Sequence, residues 1–145
     1  MAKRILWLDN DLSYIGIYAE EMRDNDFEVK EVKSVAEAEA ELIASQYDLL
    51  ILDVMIPTFS DKEEIDYPPT ETGFGTKTGL YFLKRMKALL EEKKTAVLVT
   101  TVRLDQPIRG EFLEVGLPAD HFATKFALRD APEFVKKVKS MLPST

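Results

Sequence analysis

Tyr47-Asp48-Leu49-Leu50-Ile51-Leu52-Asp53-Val54-Met55-Ile56-Pro57 is the stretch whose reading decides the fold. Four consecutive apolar residues, Leu49 to Leu52, end abruptly in a carboxylate. A run this short and this uniformly apolar suits a strand covered on both faces. The pattern recurs on either side of it. Ile5-Leu6-Trp7-Leu8 runs into Asp9-Asn10-Asp11, and Val97-Leu98-Val99 runs into Thr100-Thr101. Phe27 to Val32 alternates apolar and charged residues, as a half-covered edge strand does. Ala119 to Thr124 reads as a last strand ending at Lys125.

The segments between these strands carry helical spacing. Leu12, Ile15, Tyr18, Ala19 and Met22 form the first apolar stripe, which stops in Asp24-Asn25-Asp26. Ser34-Val35-Ala36-Glu37 is a capping box that opens a second helix reaching about Ser45. Leu80, Leu83, Met86 and Leu90 mark a third helix, and Gln106 to Val115 a fourth, closed by Gly116. Asp130-Ala131-Pro132-Glu133 starts the last, which carries Phe134, Val135, Val138, Met141 and Leu142. Five strands alternating with five helices predict an α/β domain, a parallel sheet with helices on both faces.

The length of 145 residues fits one domain. Acids outnumber bases, 26 to 19, for a net charge of −7, which argues against nonspecific nucleic-acid binding. The absence of cysteine excludes disulfides, thiolate metal sites and a cysteine nucleophile. Met1-Ala2-Lys3-Arg4 leads straight into the first strand without the pattern of a signal peptide, and no apolar run is long enough for a membrane span. A cytoplasmic protein is the expectation. Thr58 to Lys77 alone breaks the alternation: 20 residues with five acids, two lysines, two prolines and two glycines. It reads as an insertion within a single domain, with about 125 residues left for the alternating units.

In open parallel sheets the ligand site lies at the carboxyl ends of the strands. Those ends carry Asp9 with Asn10 and Asp11, then Asp53, Thr101 and Lys125. Asp11 is explained well enough as an N-cap. Together, carboxylates, a hydroxyl and an ammonium suit phosphoryl transfer to a carboxylate. Asp53 is the candidate nucleophile. Mg²⁺ is expected between Asp9, Asn10 and Asp53, with Thr101 and Lys125 on the phosphoryl oxygens.

At these motifs the sequence resembles the receiver domains of two-component response regulators. Ile5 to Asp11 resembles the first strand and its acidic pair, and Tyr47 to Pro57 the phosphoacceptor strand with its proline. Thr78 to Met86 resembles the start of the following helix. Thr95 to Thr101 is similar to the strand with the switch hydroxyl, and Ala119 to Lys125 to the strand with the lysine.

The resemblance implies a flavodoxin-like fold with strand order 2-1-3-4-5 and phosphorylation of Asp53 with Mg²⁺, the Met55 carbonyl being a further metal ligand. The phosphodonor would be a sensor histidine kinase, a phosphotransfer protein or a small acyl phosphate. Thr101 would move toward the phosphoryl group and Phe122 follow it inward. The face made by the last two helices and the last strand would then select an output protein in trans, since the length leaves no room for an output domain. The expected protein is a monomer or weak homodimer, binds neither nucleic acid nor membrane directly, and is not a turnover enzyme.

Four positions depart from the pattern. Asn10 stands where a second carboxylate is usual, Val102 where a small residue follows the switch hydroxyl, Phe126 where proline follows the lysine, and Phe122 where tyrosine offers a hydroxyl. They keep open a pseudo-receiver, an interaction module independent of phosphorylation. A third reading takes Asp9-Asn10-Asp11-Leu12-Ser13 as the D-x-D-x-S/T motif of haloacid-dehalogenase-type phosphatases, with Asp9 as nucleophile. It leaves Asp53 unexplained and lacks a later acidic pair at a strand end. His121 is expected at the surface, and the run Glu37 to Glu41 on a solvated helix face. The insertion is expected to be either a partly disordered acidic loop or a lid or docking element built on Ile65, Tyr67, Pro68, Pro69 and Phe74.

Overall fold

The computed structural model describes residues 2–101, 106–124 and 131–142. In chain order the elements are β1 (Arg4–Leu8), α1 (Leu12–Asp24), β2 (Glu28–Val32), α2 (Val35–Ala44), β3 (Leu49–Asp53), α3 (Asp61–Asp66), α4 (Pro69–Thr72), α5 (Thr78–Glu92), β4 (Ala96–Thr101), α6 (Gln106–Glu114), β5 (Phe122–Thr124) and α7 (Ala131–Met141). The strands form one parallel sheet in the order β2-β1-β3-β4-β5. The three continuous apolar runs are its three inner strands, β1, β3 and β4, because only inner strands bury both faces. The alternating segment forms the β2 edge, as its pattern requires.

Strand alternation divides the core into two layers. Leu6, Leu8, Leu50, Leu52, Val97 and Val99 face α2, α5 and α6. Ile5, Trp7, Leu49, Ile51 and Leu98 face α1 and α7. On that second side the lone Trp7 stacks on Phe134, ring centroids 5.1 Å apart. Helix α2 starts as its capping residues dictate: Ser34 Oγ accepts from the Glu37 amide at 3.2 Å. No described helix is long and apolar enough to cross a membrane.

The insertion corrects two expectations. Its described residues are folded, and its two short helices bring the total to seven described helices rather than five. Ser60 caps α3 by accepting from the Glu63 amide at 3.2 Å, with Asp61, Glu63 and Glu64 in the first turn. The Glu63 carboxylate is buried and works as a clip, accepting from the Phe59 amide at 2.9 Å and the Ala36 amide of α2 at 3.3 Å. Tyr67, 1% exposed, plugs into the space between α2 and α5. Its ring lies 5.3 Å from Tyr81 and 6.4 Å from Phe82, and its hydroxyl donates to Glu39 at 2.7 Å. Arg85 holds the other Glu39 oxygen at 3.1 Å and lies 5.5 Å above the Tyr67 ring. Glu39 and Glu41 are therefore not a plain solvated face. Each accepts a tyrosine hydroxyl, Glu41 that of Tyr47 at 2.7 Å, because tyrosines buried beside α2 need acceptors.

Burial and the neighbouring Glu39 carboxylate push the Tyr67 phenol far above its ordinary value of 10.0. The folded chain keeps that proton where the unfolded chain loses it. The stability this confers is present below pH 10 and fades as pH rises beyond it. Replacing Tyr67 by Phe is predicted to cost about 1.5–3 kcal/mol at neutral pH in urea unfolding, as for a hydrogen bond to a charged acceptor. The same variant should lose stability less steeply above pH 10 than the parent. An equal cost at all pH values would contradict the Tyr67–Glu39 latch.

Candidate functional site

Leu8 and Leu52 are paired across β1 and β3, and each is followed by an acid, so Asp9 and Asp53 stand side by side at the carboxyl edge of the sheet. Both are buried, at 0% and 4% exposure. Two neighbouring buried carboxylates are costly unless donors or a cation offset their charge. Backbone amides supply part of this: Asp11 donates to Asp9 Oδ1 at 2.9 Å, and Val54 to Asp53 Oδ1 at 2.8 Å. Asn10 and Asp11 are exposed beside them. Asp11 immediately precedes α1, and its carbonyl accepts from Ile15 at 3.4 Å, the position of an N-cap.

Strand register moves the candidate hydroxyl by one residue. The partner of Asp53 across the β3–β4 ladder is Thr100, not Thr101. Asp9, Asp53 and Thr100 continue the alternations of Trp7, Ile51 and Leu98, so all three fall on the α1–α7 face of the sheet. Thr100 is 2% exposed, and among the described residues its Oγ1 has no hydrogen-bond partner. A buried hydroxyl on the same sheet face as two buried carboxylates adds a hydrogen-bond donor to the oxygen-rich strand edge. The apolar run shows where β4 ends but not which of two adjacent threonines shares a face with Asp53, so sequence reasoning missed it. Thr101 closes β4 opposite Thr124, and its side chain lies outside the described residues, as do Val102, Lys125 and Phe126.

The two carboxylates placed here are oxygen donors, with the Asn10 amide next to Asp9 in the chain and the Met55 carbonyl two residues past Asp53. Such a set suits a hard dication that keeps several waters, as Mg²⁺ does. Among the described residues no group of three or more His, Cys, Asp and Glu is placed to hold a metal. Phe122 is half-buried, edge-on to Phe112 of α6 at 5.5 Å, with Arg109 5.7 Å from its ring. His121 is partly exposed near the start of β5, with Asp120 3.9 Å away.

Gly79 lets α5 begin against the site. Its amide donates to the Val54 carbonyl at 2.9 Å, and a Cβ here would fall 2.1 Å from the Asp53 carbonyl oxygen. Backbone cannot yield that distance cheaply. Gly79→Ala should therefore destabilise the chain by about 1–3 kcal/mol through overpacking in urea unfolding. Gly110 has open space at its Cβ, and Gly110→Ala should cost nothing comparable. Equal effects of the two variants would contradict the close approach at Asp53.

No protein-family model matches the sequence, and no curated protein does. Solved structures do match. A CheY-like receiver domain protein from Methanospirillum hungatei JF-1 is 16% identical with a TM-score of 0.73, over 97% of this chain and 93% of that one. The chemotaxis response regulator CheY4 of Vibrio cholerae is 19% identical with a TM-score of 0.71, over 98% and 100%. A Burkholderia pseudomallei response regulator, solved with a phosphorylated aspartic acid, calcium ion and citrate, is 16% identical with a TM-score of 0.69, over 98% of this chain and 67% of that one. Across nearly its whole length, then, this chain has the flavodoxin-like fold of response-regulator receiver domains.

Proposed function

We propose that the chain is a phosphoacceptor receiver, with Asp53 as the phosphorylated residue. The observation that carries this reading is the shared face of Asp9, Asp53 and Thr100: two buried carboxylates and a buried hydroxyl, with no partner among the described residues, at the carboxyl edge of a parallel sheet. The phosphorylated aspartic acid and calcium of the Burkholderia neighbour support it by analogy of fold.

Asp53 attacks the phosphorus of a phosphohistidine or acyl phosphate. A P–O bond to Asp53 forms as the bond to the leaving imidazole or carboxylate breaks, and the leaving group takes the bonding pair. Mg²⁺, held by Asp9, Asn10, Asp53 and the Met55 carbonyl, would neutralise charge on the phosphoryl oxygens. The Thr100 hydroxyl donates to one of those oxygens, and Lys125 supplies a point charge to another. Thr100 thus takes the role the sequence assigned to Thr101. The signal passes along β4 to Phe122 and the α6–β5–α7 face, where an output protein binds. The phosphodonor is a sensor histidine kinase or phosphotransfer protein.

Asn10 favours a second reading, a pseudo-receiver that binds its partner without phosphorylation, because an amide brings no charge to the metal. Binding of beryllofluoride with Mg²⁺, followed by the fluorescence of Trp7, separates the two. The indole lies two residues before Asp9 on the same sheet face, so it reports on the site. The receiver reading predicts a saturable Mg²⁺-dependent change, abolished in Asp53→Asn and weakened about tenfold or more in Thr100→Ala, with a smaller loss in Thr101→Ala. Restoring a carboxylate with Asn10→Asp should strengthen Mg²⁺ binding by about tenfold. No response at millimolar metal, in the parent or in Asn10→Asp, would establish the module instead.

A further inference from the structure

The insertion turns its apolar residues in two directions. Tyr67 enters the core, while Phe59, Ile65 and Phe74 stay at the surface, 55%, 77% and 82% exposed. Phe74 is the most unusual of them. Gly73, Phe74 and Gly75 all have positive φ, at 61°, 54° and 95°, and the middle residue of this turn is a bulky aromatic. A side chain in the left-handed region is disfavoured, and here no burial repays it. Phe74 forms one wall of a cleft of about 190 Å³, with Pro57, Thr58, Glu64, Pro69 and Thr72 around it.

Among the described residues Glu64 is the one ionisable side chain in that cleft, and the Thr58 hydroxyl lies 3.5 Å from its Oε1. Neither Glu64 nor the exposed Asp61 and Glu71 has a cation within 4.0 Å among the described residues. The insertion's five acids against two lysines leave it at −3, on a chain of −7. Flat apolar walls beside a carboxylate that no described cation neutralises match a guanidinium. Its plane stacks on an aromatic face while its edge forks to a carboxylate. Lysine, a strongly hydrated point charge, uses the wall poorly.

We propose that the Phe74–Glu64 cleft is a docking site for a basic segment of a partner protein, with an arginine seated in the cleft and apolar neighbours resting on Ile65 and Phe59. The cleft shares no lining residue with the Asp9–Asp53 pair, and docking there does not depend on phosphorylation. It begins at Pro57, four residues along the chain from Asp53, so a partner held there sits beside the phosphoacceptor strand.

The test is titration of the full chain, followed by amide NMR shifts, with a short blocked peptide alternating arginine and leucine. Its citrulline and lysine counterparts are run in parallel. Saturable shifts confined to residues 57–75 are expected for the arginine peptide. Binding should be at least about tenfold weaker for the lysine peptide and undetectable for the citrulline peptide. Glu64→Gln should weaken arginine-peptide binding about tenfold. Phe74→Asn is the sharper variant, because asparagine tolerates positive φ. It should raise the melting temperature while losing peptide binding, which a merely structural Phe74 would not do. Equal binding of the citrulline peptide, shifts spread over the acidic surface and unmoved by Glu64→Gln, or retained binding in Phe74→Asn would each overturn the proposal. Because Asp53→Asn should bind the peptide as the parent does, failure here is distinct from failure of the receiver reading.

Discussion

Two carboxylates buried side by side are the constraint on which the rest of this structure turns. Asp9 follows β1 and Asp53 ends β3, adjacent strands in the middle of the sheet, and the two are only 0% and 4% exposed. An interior that held them unaided would pay heavily in desolvation. The surrounding architecture answers that cost locally. Each acid accepts a backbone amide at the strand end, and helix α5 abuts the site through Gly79. The parallel sheet makes this possible, since every strand delivers its carboxyl end to the same edge.

Much of the fold was legible in the sequence because burial on both faces leaves an unmistakable signature. Leu49 to Leu52, Ile5 to Leu8 and Val97 to Val99 became β3, β1 and β4, and the alternating Phe27 to Val32 became the β2 edge. The strand order was legible only through resemblance to receiver domains, because periodicity carries no information about which strands are neighbours. Asp9 and Asp53 were legible for the same reason as the strands: an acid that ends an apolar run is placed by that run. Thr100 was not. Choosing between two adjacent threonines needs the register of β3 against β4, which no local pattern encodes.

The insertion was the least legible part, and its physics explains why. Helices of six and four residues are too short to show a periodic stripe. Ser60 to Glu63 does repeat the S-x-x-E spacing of Ser34 to Glu37, a signal that would have marked the start of α3 but that sequence reasoning missed. What holds the segment down is tertiary: the Tyr67 ring among Tyr81 and Phe82, its hydroxyl on Glu39, and Glu63 at the start of α2. One buried tyrosine thus turns an acidic stretch into a folded arm that keeps Phe74 and Glu64 at the surface.

The central claim is that Asp53 is a phosphoacceptor rather than a buried structural acid. The most direct measurement is the intact mass of the chain after incubation with acetyl phosphate and Mg²⁺, repeated after hydroxylamine treatment. A single added phosphoryl group is expected, one that hydroxylamine removes and that is absent without metal or in Asp53→Asn. An unmodified mass in the presence of Mg²⁺, or a phosphoryl group that survives hydroxylamine or persists in Asp53→Asn, would contradict it.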